Sequence, residues 1–100
     1  MRLIDAASVI RSKNAGPLQI TIDLMFTDRA QFERAMRAPS LSRDAVAALY
    51  GIAPPRVQVI RFDAALAIKL VIDRPIIAGT PGDSDVYGAQ QHAPLLEVVI

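Results

Sequence analysis

The stretch Leu18-Gln19-Ile20-Thr21-Ile22-Asp23-Leu24-Met25-Phe26 decides the fold. Leu18, Ile20, Ile22, Leu24 and Phe26 alternate with Gln19, Thr21, Asp23 and Met25. Successive side chains on a strand point to opposite faces, so this strand has one apolar face and one mostly polar face. The apolar face must be buried under helices or a second sheet.

Working back from that strand, residues 11–17 read as a loop, Arg11-Ser12-Lys13-Asn14-Ala15-Gly16-Pro17. Gly16 allows positive φ, and Pro17 fixes the backbone where the strand begins. Before it, Leu3, Ala6, Ala7 and Ile10 fit a helical spacing, and a short helix is preferred there to a short strand.

Working forward, Asp28 reads as an N-cap, with Gln31 completing a capping-box pattern. Phe32, Ala35 and Met36 form the apolar stripe of that helix, and Pro39 stops it. Ser42 caps a second helix, with Leu41 stapled on Val46, an apolar face of Ala45, Val46, Leu49 and Tyr50, and Gly51 at the C′ position. Pro54-Pro55 predicts an extended segment. Residues 57–62 and 66–72 read as strands joined by a short turn, an antiparallel hairpin. Gly79, Pro81 and Gly82 mark residues 76–84 as a loop. A short helix is expected over 85–92, capped by Asp83 or Ser84 and ended by Pro94, and a last strand over 95–100.

The resulting order is βαββαβ, one α+β domain over residues 1–100 with the ferredoxin-like pattern. The expectation is a four-stranded antiparallel sheet with helices on one face. Strands 18–26 and 66–72 are then central antiparallel neighbours. Thr21, Asp23 and Met25 would face away from the helices, as would Ala67, Lys69 and Val71. Asp23 and Lys69 would share this open face, either as a surface ion pair or as part of a docking surface.

Composition bounds the function. The 100 residues carry a formal charge of +1, which argues against a nucleic-acid protein with its basic stripe. There is no cysteine, so no disulfide, thiolate metal site or cysteine nucleophile. No leader pattern or membrane-length apolar run occurs, and the expected location is cytoplasmic. The apolar share of 52% is high for so short a chain, and we read part of it as an interface, giving an oligomer or a subunit.

Two polar stretches are candidate sites. Arg11, Ser12, Lys13, Asn14 and Gly16 could form a backbone nest for a small anion, with Arg11 as the clamp; the alternative is a solvated loop. Asp83, Asp85, Tyr87, Gln90, Gln91 and His92 crowd hydrogen-bonding groups together, and His92 is a candidate acid or base; the alternative is a capped helix packed at an edge. With one histidine and no ligand spacing, neither a metal nor another cofactor is expected. The two stretches are expected to share one site, within the chain or across a subunit boundary.

A resemblance covers essentially the whole chain. The stretch from Arg11 to Pro17, then Thr21-Ile22-Asp23-Leu24-Met25-Phe26, Phe62-Asp63-Ala64-Ala65-Leu66-Ala67-Ile68-Lys69, and Gly82-Asp83 with Asp85-Val86-Tyr87-Gly88-Ala89-Gln90-Gln91-His92-Ala93-Pro94-Leu95-Leu96 carry it. These resemble a small family of domains of unknown function encoded near acyclic terpene utilisation AtuA-like proteins. The chain is more faintly similar to the C-terminal ferredoxin-like domain of the AtuA-like proteins. That domain has an Arg-Ser-Gly-Asp-Lys-Gly loop; Arg11, Ser12 and Gly16 match it, whereas Lys13, Asn14 and Ala15 depart. The resemblance implies a small subunit of an AtuA-like complex acting on a small carboxylic acid or its thioester. It transfers no catalytic residue. An independent lyase or isomerase using His92, and a homo-oligomeric ligand-binding module, are the other two readings.

Overall fold

A computed structural model describes residues 1–16, 18–73 and 93–100. Its elements are α1 (Leu3–Ala6), β1 (Val9–Asn14), β2 (Gln19–Met25), α2 (Arg29–Arg37), α3 (Arg43–Tyr50), β3 (Val57–Phe62) and β4 (Ala67–Asp73). The four strands make one antiparallel sheet in the order β1-β2-β4-β3. The α+β class, the antiparallel sheet and the central pairing of β2 with β4 therefore stand as expected.

The register puts Ile20 opposite Ile72, Ile22 opposite Leu70 and Leu24 opposite Ile68. All six are buried, together with Phe32 and Ala35 of α2 and Val46 and Ala47 of α3. Burying each such aliphatic side chain contributes about 1.5–3 kcal/mol, so this face holds the fold together. Phe26 meets Phe32 edge to face, with ring centroids 6.1 Å apart.

The helices end where their chemistry dictates. Asp28 accepts a hydrogen bond from the Ala30 amide at 2.7 Å, but the reciprocal Gln31 bond of a full capping box is not formed. Ser42 caps α3 by accepting from the Ala45 amide, and Gly51 closes it in the left-handed region at φ 68°. The α3 stripe differs from expectation at one place. Ala47 is buried while Leu49 is exposed, because the helix turns its 46, 47 and 50 positions to the sheet. Pro54–Arg56 forms a 3-10 turn instead of an extended segment. The β3–β4 hairpin is present, but its turn includes Leu66, which takes positive φ (47°) to reverse the chain after the 3-10 turn Asp63–Ala65.

Two expectations at the ends of the chain are corrected. Residues 11–14 are strand and not loop: Val9–Asn14 pairs along its whole length with β2 and takes the edge position that βαββαβ order assigns to the C-terminal strand. Only α1 remains of the expected helix over 3–10. Residues 95–100 do not join the sheet as a strand. Ala93–Leu95 is a 3-10 turn, and Val99 makes one isolated bridge with Arg2. The Leu3 amide donates to the Val98 carbonyl, the Ile100 amide to the Met1 carbonyl, and Arg34 of α2 to the Ile100 carbonyl. Leu3 and Leu95 are both fully buried, so the two ends fasten together and close the core. The loop and helix expected over 76–92 lie outside the described residues. Among the described residues, no helix is long and apolar enough to cross a membrane.

Candidate functional site

The alternation that buries one face of β2 lays out the other. Opposed residues of adjacent strands share a face, so the register defines rows across the sheet. One row reads Val9, Met25, Ala67, Phe62. The next reads Arg11, Asp23, Lys69, Ile60, and the third Lys13, Thr21, Val71, Gln58. Neither α2 nor α3 packs on this face, because the core they close is on the other side.

The first row is apolar from edge to edge. Val9 is 41% exposed and Phe62 46%. The second row is charged. Arg11 Nε donates to Asp23 Oδ2 at 3.3 Å. Asp23 and Lys69 sit opposite one another as expected, yet the ion pair of Asp23 is with Arg11, and the Lys69 ammonium lies 5.5 Å from the centre of the Phe62 ring. At the far end, Asp73 accepts from Gln19 at 3.2 Å and pairs with Arg56 at 3.8 Å. In the third row, Thr21 is only 8% exposed, and its Oγ1 has no hydrogen-bond partner.

The strand geometry splits the first candidate stretch. Arg11 and Lys13 point to the open face, while Ser12 and Asn14 point to the helices, Ser12 being buried. An extended strand cannot gather the amides of residues 11–14 into a nest, and the Ala15 amide is used to close the hairpin on the Gln19 carbonyl. Gly16 does take positive φ, 108°, in the turn. Asp83, Asp85, Tyr87, Gln90, Gln91 and His92 lie outside the described residues. Among the described residues, no group of three or more His, Cys, Asp or Glu side chains could hold a metal ion.

A second polar cluster ties the helices to the sheet. Arg61 of β3 hydrogen-bonds Glu33 of α2 and Asp63, with its guanidinium 4.9 Å from the centre of the Phe32 ring. The Glu33 bond, then the Asp63 bond, hold its pKa above the usual arginine value. On α3, burial pushes the Tyr50 phenol well above its ordinary value.

Sequence reasoning placed Met25 outward but missed its neighbours Val9 and Phe62, because Val9 joins the row only once β1 is a strand and Phe62 only through the β3–β4 register. The available signal was a glycine-containing connection short enough for a hairpin between residues 14 and 19.

No curated protein and no solved structure matches the chain. A family model described as "Domain of unknown function (DUF4387)" matches residues 3–99. The chain therefore belongs to that family of domains of unknown function.

Proposed function

We propose that this chain is an accessory subunit that docks through its open sheet face on a larger AtuA-like protein, in a complex acting on a small carboxylic acid or its thioester. The apolar row Val9, Met25, Ala67, Phe62 carries the reading. An antiparallel sheet face not packed on a core is usually polar; among the described residues no helix covers this face, yet an apolar row spans every strand beside a charged row. An exposed apolar strip at one end of a sheet, flanked by a charged row, fits the apolar part of a protein interface beside its polar rim. The resemblance given above supplies the class of partner. His92 and its neighbours remain candidates for the complex's chemistry, and the independent-enzyme reading depends on them.

Co-expression with an AtuA-like protein from the same genome tests this. The wild-type chain is expected to co-purify with it, and Phe62→Glu and Val9→Glu are expected to lose it while melting normally. A wild-type chain that never retains the larger protein, or variants that retain it fully, would overturn the reading. A second copy is the other occupant of such a face. Light scattering that finds a dimer broken by Phe62→Glu would favour the homo-oligomeric module.

A further inference from the structure

The geometry points to a small oxyanion site on the open face, centred on Thr21 and flanked by Lys13 and Lys69. Both carboxylates of the described part of that face are already held, Asp23 by Arg11 and Asp73 by Arg56. Lys13 has no ion-pair partner among the described residues, and Lys69 rests on the Phe62 ring instead of on an acid. Among the described residues, two ammonium groups on one surface are thus without an ion-pair partner. Between them lies Thr21, directly opposite Lys13 on β1 and diagonal to Lys69 on β4.

Its hydroxyl supplies the independent sign. Thr21 is 8% exposed, and Oγ1 has no partner. Leaving a hydroxyl out of water and unpaired costs roughly 1–3 kcal/mol, so a donor-acceptor of that kind marks a place where a partner belongs. With adjacent strands about 4.8 Å apart and a rise of about 3.3 Å per residue, the roots of Lys13 and Lys69 are roughly 12 Å apart. Two lysine side chains can close that span from both sides onto an oxyanion above Thr21. The hydroxyl donates one hydrogen bond and the ammoniums donate charge-assisted ones. Lys13 is exposed, and exposed side chains change rotamer in ps–ns, so its long stem can open the approach. The ligand class is a small molecule bearing a carboxylate or a phosphate. The site belongs to this chain alone, so its failure and the failure of the docking reading are separate results.

Methyl NMR of the full chain, titrated with inorganic phosphate in one arm and acetate in the other, tests the site. The Thr21 methyl is expected to shift saturably with at least one anion, and the stronger arm identifies the source. Lys13→Gln and Lys69→Gln are each expected to weaken binding about fivefold, the loss of one charge-assisted contact. Thr21→Val is expected to weaken it about tenfold while raising the melting temperature of the ligand-free chain, because an unpaired buried hydroxyl has been removed. Absence of a saturable shift with either anion overturns the proposal. So does unchanged affinity in Thr21→Val, or a lowered melting temperature in that variant, which would show the hydroxyl already satisfied in the ligand-free chain.

Discussion

The two faces of one sheet share their strands and differ in almost everything else. On the covered face every position of β2 and β4 is a large aliphatic residue with 2% exposure or less. On the open face the same strands carry Gln19, Thr21, Asp23 and Met25 against Ala67, Lys69, Val71 and Asp73. The covered face excludes water and contributes stability. The open face spends the same backbone on charges, one unpaired hydroxyl and an apolar row, none of which strengthens an isolated chain much. On the docking reading proposed above, that division gives folding to one face and recognition to the other.

Two phenylalanines give the sharpest contrast. Phe32 is fully buried on the covered side and Phe62 is 46% exposed on the open side. Phe32→Ala is expected to cost about 3–5 kcal/mol, and Phe62→Ala under about 1 kcal/mol, the size of an exposed cation–π contact. Urea denaturation of both variants measures this. Equal losses would erase the distinction between the faces.

Tyr50, on the covered side, makes the contrast pH-dependent. Burial raises its pKa in the folded chain, so between the unfolded value near 10 and that higher value the folded state holds one more proton. The associated stability is complete below pH 10 and falls as the pH rises, by up to about 1.4 kcal/mol per unit. Tyr50→Phe should make the decline above pH 10 shallower in denaturation series compared at each pH. An unchanged slope would place the phenol in water.

The helical cover depends on its caps. Ser42→Ala removes the acceptor of the Ala45 amide and should lower stability by about 1 kcal/mol by thermal melting, with Ser42→Gly losing less. The smallest effect belongs to the open face. Arg11 is mostly exposed, so a double-mutant cycle on Arg11 and Asp23 should give a coupling below about 1 kcal/mol that shrinks in salt. A larger coupling would make the open face a contributor to folding.

The covered face was legible because burial on one side leaves an unbroken alternation, as in residues 18–26 and 66–72. The caps Asp28, Ser42 and Gly51 were legible because each meets a local backbone need. β1 was not. Its inward positions are Ile10, Ser12 and Asn14, and two polar residues facing a core hide the alternation. What makes them a strand is the long-range pairing with β2. The C-terminal segment failed for the opposite reason. Leu95-Leu96-Glu97-Val98-Val99-Ile100 looks like a strand by composition, but β1 holds the place beside β2, and the segment packs against the N-terminus instead. The candidate site was half legible. Arg11 and Lys13 were singled out as part of a loop, and their partners across the sheet emerged only with the register.

The most direct test of the division between the faces is methyl NMR of the labelled chain with and without the AtuA-like protein proposed as its partner, because side-chain methyls distinguish faces that backbone amides of one strand do not. Broadening or shifts are expected at Val9, Thr21, Met25, Ile60, Ala67 and Val71 on the open face. Ile22, Leu24, Ile68 and Leu70 on the covered face should stay in place. Perturbation confined to α2, α3 or the covered face would contradict the account.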